Sequence, residues 1–248
     1  MGQRKKPMSI LSQLPISFVF IIVILLCGCA PVCKSQRAEP RSKIRKVRPT
    51  QTAPRANIAQ TVAALQPLLR PGDIVFIGIP NPLFHHVADA TNCPATHVGI
   101  AFNDPGQGWV VAESAVPLSK ITRLDKFIAH SEGGWCTVRR LKEGLTEAQV
   151  RALRAECDAR MGVLYHTGFR YESHRQFCSK FVYDVYLNAL NVRVGKIETF
   201  SDLLDRNPKA GVFVWKCWFL GRIPWNRLTV TPASQYESPL LETVWPPA

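Results

Sequence analysis

Three apolar runs in the first half of the chain most constrain what it can fold into: Asp73–Ile79 (DIVFIGI), Thr96–Phe102 (THVGIAF) and Trp109–Ser114 (WVVAES). Each is short and rich in β-branched or aromatic residues. Each is also bounded by turn signals: Pro71-Gly72 before the first, Asn92-Cys93-Pro94 before the second, Asn103-Asp104-Pro105-Gly106 between the second and third. Runs of this kind read as strands, and strands this close in sequence pair antiparallel. A further strand is expected at Cys136–Leu141, and a long loop between Pro80 and Pro94. Helical spacing covers residues 58–69, which carry Pro67 near the end. It returns after the Thr146-x-x-Gln149 capping box, through Val150, Leu153, Cys157 and Met161 to a stop at Gly162. Thr199-x-x-Asp202 caps a short helix, and Val212–Phe219 (VFVWKCWF) fits either a strand or a buried helix. Trp215, Trp218 and Trp225 read as core and edge packing, with a substrate lip or membrane contact as the rival. Helices and antiparallel strands in this order define an α+β class, a small sheet packed with helices.

The net charge of +13 suggests nucleic-acid binding until it is located. Between Cys29 and Asn57 eight basic residues stand against Glu39 alone, whereas from Ile58 onward twenty basic residues face seventeen acids. The domain is nearly neutral, so no nucleic-acid partner is expected. The basic head MGQRKK leads into an apolar run, Ile16–Leu26, of eleven residues, short of the ~20 needed to span a bilayer. It ends in Leu26-Cys27-Gly28-Cys29, which resembles a bacterial lipobox with Cys29 as the lipidated residue. The expected organisation is a signal peptide over 1–28, a basic disordered tether over 29–57, and one domain over 58–248. The tether would lie against anionic lipid or act as a plain spacer. This places the domain outside the inner membrane, lipid-anchored. The charge asymmetry across the apolar run favours the alternative, an uncleaved anchor with a cytoplasmic domain.

The eight cysteines form neither a CxxC pair nor a tight, even framework, so neither a zinc ribbon nor a disulfide scaffold is indicated. One thiol is placed differently. In RQFCSKFVYDVY, Cys178 opens a helix whose apolar stripe runs through Phe181, Val182, Val185 and Ala189, with Lys180, Asp184 and Asn188 on the outward side. The free N–H groups of a helix start favour a thiolate and can cradle an oxyanion. No Ser, Thr, Asp or Asn directly precedes Cys178 to consume them. On that helix alone, a small buried hydrophobe explains the cysteine better. His97 on one strand and Glu113 on the next change the balance. An acid inside an apolar run costs free energy unless paired. Cys178, His97 and Glu113 together supply a nucleophile, a base and an orienting acid, the strand pair being expected to face the helix. His85, His86, Cys93 and His97 are metal-capable types, but their spacing matches no zinc signature. No metal or cofactor is expected.

The stretches PGDIVFIG, THVGI, VVAES, LYHTGFRYES and RQFCSKFVYDVY resemble the permuted papain-like amidases of the YaeF/YiiX type, within the NlpC-related superfamily and nearest the YebB branch, from about Arg70 to near the C-terminus. The resemblance implies a circularly permuted papain-like fold with Cys178 as nucleophile, His97 as base and Glu113 as orienting acid. It offers Tyr165, or its neighbour Tyr171, as a residue that polarises the carbonyl. The function expected is a thiol hydrolase of amide or peptide bonds in the cell envelope, working through an acyl-enzyme. Two rivals stand: a lipid acyltransferase or ester hydrolase on the same fold, and a non-catalytic envelope lipoprotein whose cleft only binds.

Overall fold

The computed structural model describes residues 58–207 and 211–246. The signal, Cys29 anchor and tether expected over residues 1–57 lie outside the described residues. The centre is a six-stranded antiparallel sheet in the order β4-β3-β2-β1-β5-β8, built from β1 Ile74–Ile77, β2 His97–Asp104, β3 Gly108–Ser114, β4 Ser119–Arg123, β5 Cys136–Leu141 and β8 Leu241–Trp245. The three runs that open the sequence are its inner strands or lie beside them. β1 is buried on both faces, which is why IVFI is apolar without alternation.

Side-chain alternation sends one set of residues to each face of the sheet. Ile74, Phe76, Val98, Ile100, Val110 and Ala112 face α5 Cys178–Leu190 and α4 Glu147–Asp158. Val75, Ile77, Ala101, Val111 and Val138 face α1 Ile58–Leu65 and α3 Leu124–Ala129. A second, two-stranded sheet pairs β6 Ile197–Thr199 with β7 Leu228–Val230. Around it pack α6 Phe200–Arg206, α7 Val212–Trp218 and α8 Pro232–Tyr236.

Several expectations are corrected. The loop between Pro80 and Pro94 contains α2 Pro82–Thr91: the Asn81 side chain accepts from the Leu83 N–H at 3.0 Å, Pro82 occupies the first turn, and Asn92 ends the helix at φ 50°. The residues that look like loop signals are its caps. The first helix stops at Leu65 and tightens into a 3₁₀ turn over Gln66–Leu68, where Pro67 lacks a donor. The capping box at Thr146 and Gln149 forms, but α4 ends at Asp158, four residues before Gly162. Of the two readings of Val212–Phe219, the helix is the one that forms, over Val212–Trp218. α5 is buried nearly all round: Asp184, expected outward, is buried and paired with Lys180.

One buried ion pair ties the start of β1 to β5. Arg140 donates from Nε and Nη2 to the two oxygens of Asp73, both at 2.7 Å, and Asp73 also accepts from the Arg70 N–H at 2.8 Å. The Asp73 side chain is 1% exposed and that of Arg140 14%. Removing one partner strands a charge. Asp73→Leu or Arg140→Met alone should cost about 3–5 kcal/mol in urea unfolding, and the double replacement clearly less, because no unpaired charge remains. Equal losses for single and double variants would show that the pair itself stabilises the fold.

Candidate active site

His97 is the first residue of β2, and Glu113 sits near the end of β3. The register pairs Gly99 with Glu113, so His97 and Glu113 are diagonal neighbours on one face of the sheet. His97 Nε2 donates to Glu113 Oε2 at 2.6 Å, and both side chains are buried. Gly99 leaves the space this needs: a Cβ there would stand 2.4 Å from Val111 Cγ1 and 2.8 Å from the Ala112 carbonyl oxygen. Phe127 on α3 packs against the imidazole, ring centroids 5.5 Å apart. The other carboxylate oxygen of Glu113 accepts from Thr122 Oγ1 on β4 at 2.5 Å.

The pair therefore points to the α1/α3 face of the sheet, not toward the helix that carries the thiol, and this corrects the expected arrangement. α5 packs on the opposite face, and Cys178 meets His97 around the end of β2. Its Sγ lies 4.0 Å from the Thr96 carbonyl oxygen, and the thiol and imidazole are hydrogen-bonded. With Nε2 held by Glu113, Nδ1 is the ring nitrogen left for sulfur.

At the start of α5 the N-cap, Phe177, has no side-chain acceptor, and the first helical bond runs from the Phe181 N–H to the Phe177 carbonyl. The earlier N–H groups are thus free of the helix ladder. The Ser179 N–H donates to Sγ, and the Cys178 N–H to the Tyr165 hydroxyl oxygen. The Tyr165 hydroxyl stands 3.9 Å from Sγ. Of the two candidate tyrosines, this is the one brought to the thiol. Tyr171 is engaged elsewhere, its hydroxyl donating to Asp184 at 3.2 Å and its ring under the Lys180 ammonium.

Burial alone would raise the Cys178 pKa. The hydrogen bond and positive charge of His97 outweigh it, with the Tyr165 hydroxyl and the Ser179 N–H adding to them, and the net direction is down. For His97, burial lowers the pKa, but the bonds to Cys178 and Glu113 raise it above the ordinary imidazole value. Burial likewise opposes ionisation of Glu113, and His97 and Thr122 reverse that. These directions favour the thiolate and the imidazolium, backed by a carboxylate. Burial instead raises the pKa of Cys93, of Cys136 to about 11, and of Cys157 further still.

Two cavities flank the thiol. One, about 40 Å³, is lined by Cys178 with Phe84, Val87, Phe169, Phe200 and Trp215 among others. The other, about 260 Å³, lies on the imidazole side, between His97, Glu113, Lys120, His130 and Val116. Phe84 and Tyr165 belong to both. Sequence reasoning missed Thr122 and Phe84. Nothing local marks either one, since Thr122 depends on the β3–β4 register and Phe84 on the unforeseen α2.

An arrangement of cysteine, histidine and acid in which the histidine precedes the cysteine in the chain, on an α+β fold of this kind, defines a permuted papain-like enzyme. The sequence profile of the permuted papain-like amidase enzyme family, YaeF/YiiX, C92, matches residues 68–245, and the chain belongs to that family. It is 31% identical over 178 residues to the uncharacterized protein YiiX of Escherichia coli strain K12, covering 71% of this chain and 87% of that one. The crystal structure of the metalloprotein yiiX from Escherichia coli O157:H7 superposes with a TM-score of 0.65 at 30% identity, covering 70% of this chain and 95% of the other. The relative found is thus YiiX, which corrects the expected YebB branch.

Because that relative is called a metalloprotein, the side chains of this chain bear on whether a metal would fit. Among the described residues, no group of three or more His, Cys, Asp or Glu side chains is placed to hold one. His85 lies 4.0 Å from Glu132 and His86 3.9 Å from Asp89, both near the surface, while His97 is held by Glu113. These residues do not fit a metal centre, and no step is derived through one.

The thiol's state is directly measurable. A depressed pKa keeps the thiolate present as pH falls, until the pH drops through the folded value. Iodoacetamide at about pH 6–7 should therefore modify Cys178 faster than the more exposed Cys217, and His97→Ala or Glu113→Gln should slow it roughly tenfold or more. Peptide mass spectrometry reads each site. Equal rates at both cysteines, indifferent to these changes, would contradict the ion pair.

Proposed function

We propose that the protein is a thiol amidase of the cell envelope, with Cys178 as nucleophile, His97 as general base and acid, and Glu113 as the group that orients and charges the imidazole. The observation that carries this reading is the buried Glu113–His97 bond of 2.6 Å whose imidazole partners a thiol at an uncapped helix start. The thiolate adds to the substrate carbonyl carbon. The oxygen, now negative, takes the Cys178 N–H and the Tyr165 hydroxyl as donors, the tyrosine being suited to this because burial and the nearby sulfur raise its pKa and keep it protonated. Imidazolium gives its proton to the departing nitrogen and an amine leaves, with a thioester on Cys178 remaining. His97 then takes a proton from water, the hydroxide attacks the thioester, and the thiolate is released. On this reading the acyl part lies on the Trp215 side and the leaving amine beside His97 and Lys120, which the residues lining the two cavities support.

One observation favours the second reading, an ester or lipid acyl substrate: the cavity at Cys178 is narrow, and the surface it presents is mainly apolar although Thr96, Ser179 and Thr229 are among its lining residues. A slender aliphatic acyl group fits such a slot better than a peptide side chain bearing charge. Acyl p-nitroanilides and p-nitrophenyl esters of increasing chain length, followed by intact mass, distinguish the readings. We expect an acyl adduct on the native protein and none on Cys178→Ala. Amide and ester substrates both turning over supports the amidase. Esters alone would favour the lipid reading. Tight binding with no adduct from either would leave a binding protein.

The envelope location rests on the lipobox-like LCGC and on the apolar run, too short to span a bilayer. Among the described residues no helix is long and apolar enough to cross a membrane. Mass spectrometry of the membrane-extracted protein should show loss of residues 1–28 and an acylated N-terminal Cys29, abolished by Cys29→Ala. An intact Met1 or Gly2 end would support the uncleaved anchor and make an envelope substrate untenable.

A further inference from the structure

α7 is apolar on two sides. Trp215 is buried, edge-on to Phe200 at 5.7 Å and stacked near Phe219 at 6.3 Å, and it forms part of the wall of the Cys178 cavity. Phe213, two residues earlier and so on nearly the opposite side of the helix, is 72% exposed. Leu220, just past the helix, is 86% exposed, and Val212 44%. Leu220 also holds φ 52°, a conformation that suits glycine or asparagine. Neither packing nor backbone preference accounts for a leucine there.

The charges around this segment have one predominant sign. Lys216 and Arg222 are exposed within or next to it. The Arg227 guanidinium lies 5.0 Å over the Phe219 ring. Burial lowers the pKa of His166, and the positive charges of Arg170, Arg227 and Arg175 close by lower it further. Glu172 is the acid that acts on Arg227. On α6, which packs Phe200 against Trp215, Asp202 is held by the Thr199 cap and Asp205 by Ser201. Exposed phenylalanine and leucine on a segment that carries Lys216, is followed by Arg222 and meets Arg227 at Phe219 match the interface of a bilayer: the apolar groups enter the acyl boundary while the cations meet anionic headgroups.

We propose that Val212–Leu220, with Lys216, Arg222, Arg170, Arg175 and Arg227 around it, is a docking surface for an anionic phospholipid bilayer. Docking here lays α7 between the bilayer and the cavity that Trp215 walls. The inference does not depend on the reaction at Cys178.

Hydrogen–deuterium exchange of the full chain with phosphatidylglycerol vesicles tests it, because exchange is read peptide by peptide and the N-terminal segment reports separately. We expect several-fold slower exchange over residues 211–222, much weaker protection with phosphatidylcholine vesicles, and loss of protection there in Phe213→Ser/Leu220→Ser. Iodoacetamide labelling of Cys178 in that variant should stay as in the native protein, showing that the fold and the thiol site are intact. Unchanged exchange over 211–222 while N-terminal peptides are protected would overturn the proposal. So would protection that grows with protein concentration in the absence of vesicles, since a second copy would then be the occupant.

Discussion

The interaction on which the structure depends is the bond between His97 and Glu113 inside an apolar sheet. An isolated carboxylate at 1% exposure would be costly, and so would an isolated imidazolium. The two are tolerated only as a pair, and the pair exists only in one register. A slip of one residue between β2 and β3 would either turn Glu113 to the α5 face or bring Val98 into the place of His97. The surroundings conform to this constraint: Gly99 clears the gap, Thr122 occupies the second carboxylate oxygen, and Phe127 covers the ring. Residues that look unrelated in the sequence thus share one electrostatic requirement.

The same constraint fixes where the nucleophile must come from. Because the pair faces α1 and α3, a thiol carried on the opposite layer reaches it only at the end of β2. α5 is accordingly anchored at its start: the Ser179 hydroxyl donates to the Val230 carbonyl at 2.7 Å, and Gln235 Nε2 donates to the Ser179 carbonyl at 2.8 Å. A small shift of this helix would separate sulfur from imidazole while leaving the core intact. β7 and α8 are far from the strands in sequence, and their contribution is to hold that helix start in place.

Much of this is legible in the sequence because the signals are local. Strand runs bounded by Gly and Pro, the Thr146 and Thr199 capping boxes, and an uncapped cysteine at a helix start each depend on a few adjacent residues. An acid in an apolar run likewise announces that it needs a partner. What stays hidden depends on long-range pairing or on ambiguous chemistry. Asn81 and Pro82 serve loops and helix starts equally well, so α2 reads as loop. Lys180 and Asp184 look solvent-facing until Tyr171 folds over them. β8 pairs with β5 across about half the described chain, and the side to which His97 points follows from which helices cover which face. No short stretch of sequence encodes that.

The two cavities then give the buried thiol a direction. Cys178 is 3% exposed, so a substrate carbonyl reaches it through a passage, and the passage has walls of different character. Phe84 and Tyr165 stand where the apolar slot meets the imidazole cleft. A carbonyl placed there has sulfur on one side, the Tyr165 hydroxyl close to its oxygen, and His97 beside whatever leaves. On the proposed reading, acyl and leaving portions would be separated by polarity before any bond changes, the kind of positioning that makes a reaction effectively unimolecular. Phe84 is carried by α2 and Tyr165 by the loop bridged to Gln176, two residues ahead of the thiol. The tyrosine is tied to the segment that leads into the thiol, and the phenylalanine belongs to a separate helix. On the proposed reading, selection of the acyl group would fall to α2 and α7, and the chemistry to the loop and helix around Cys178.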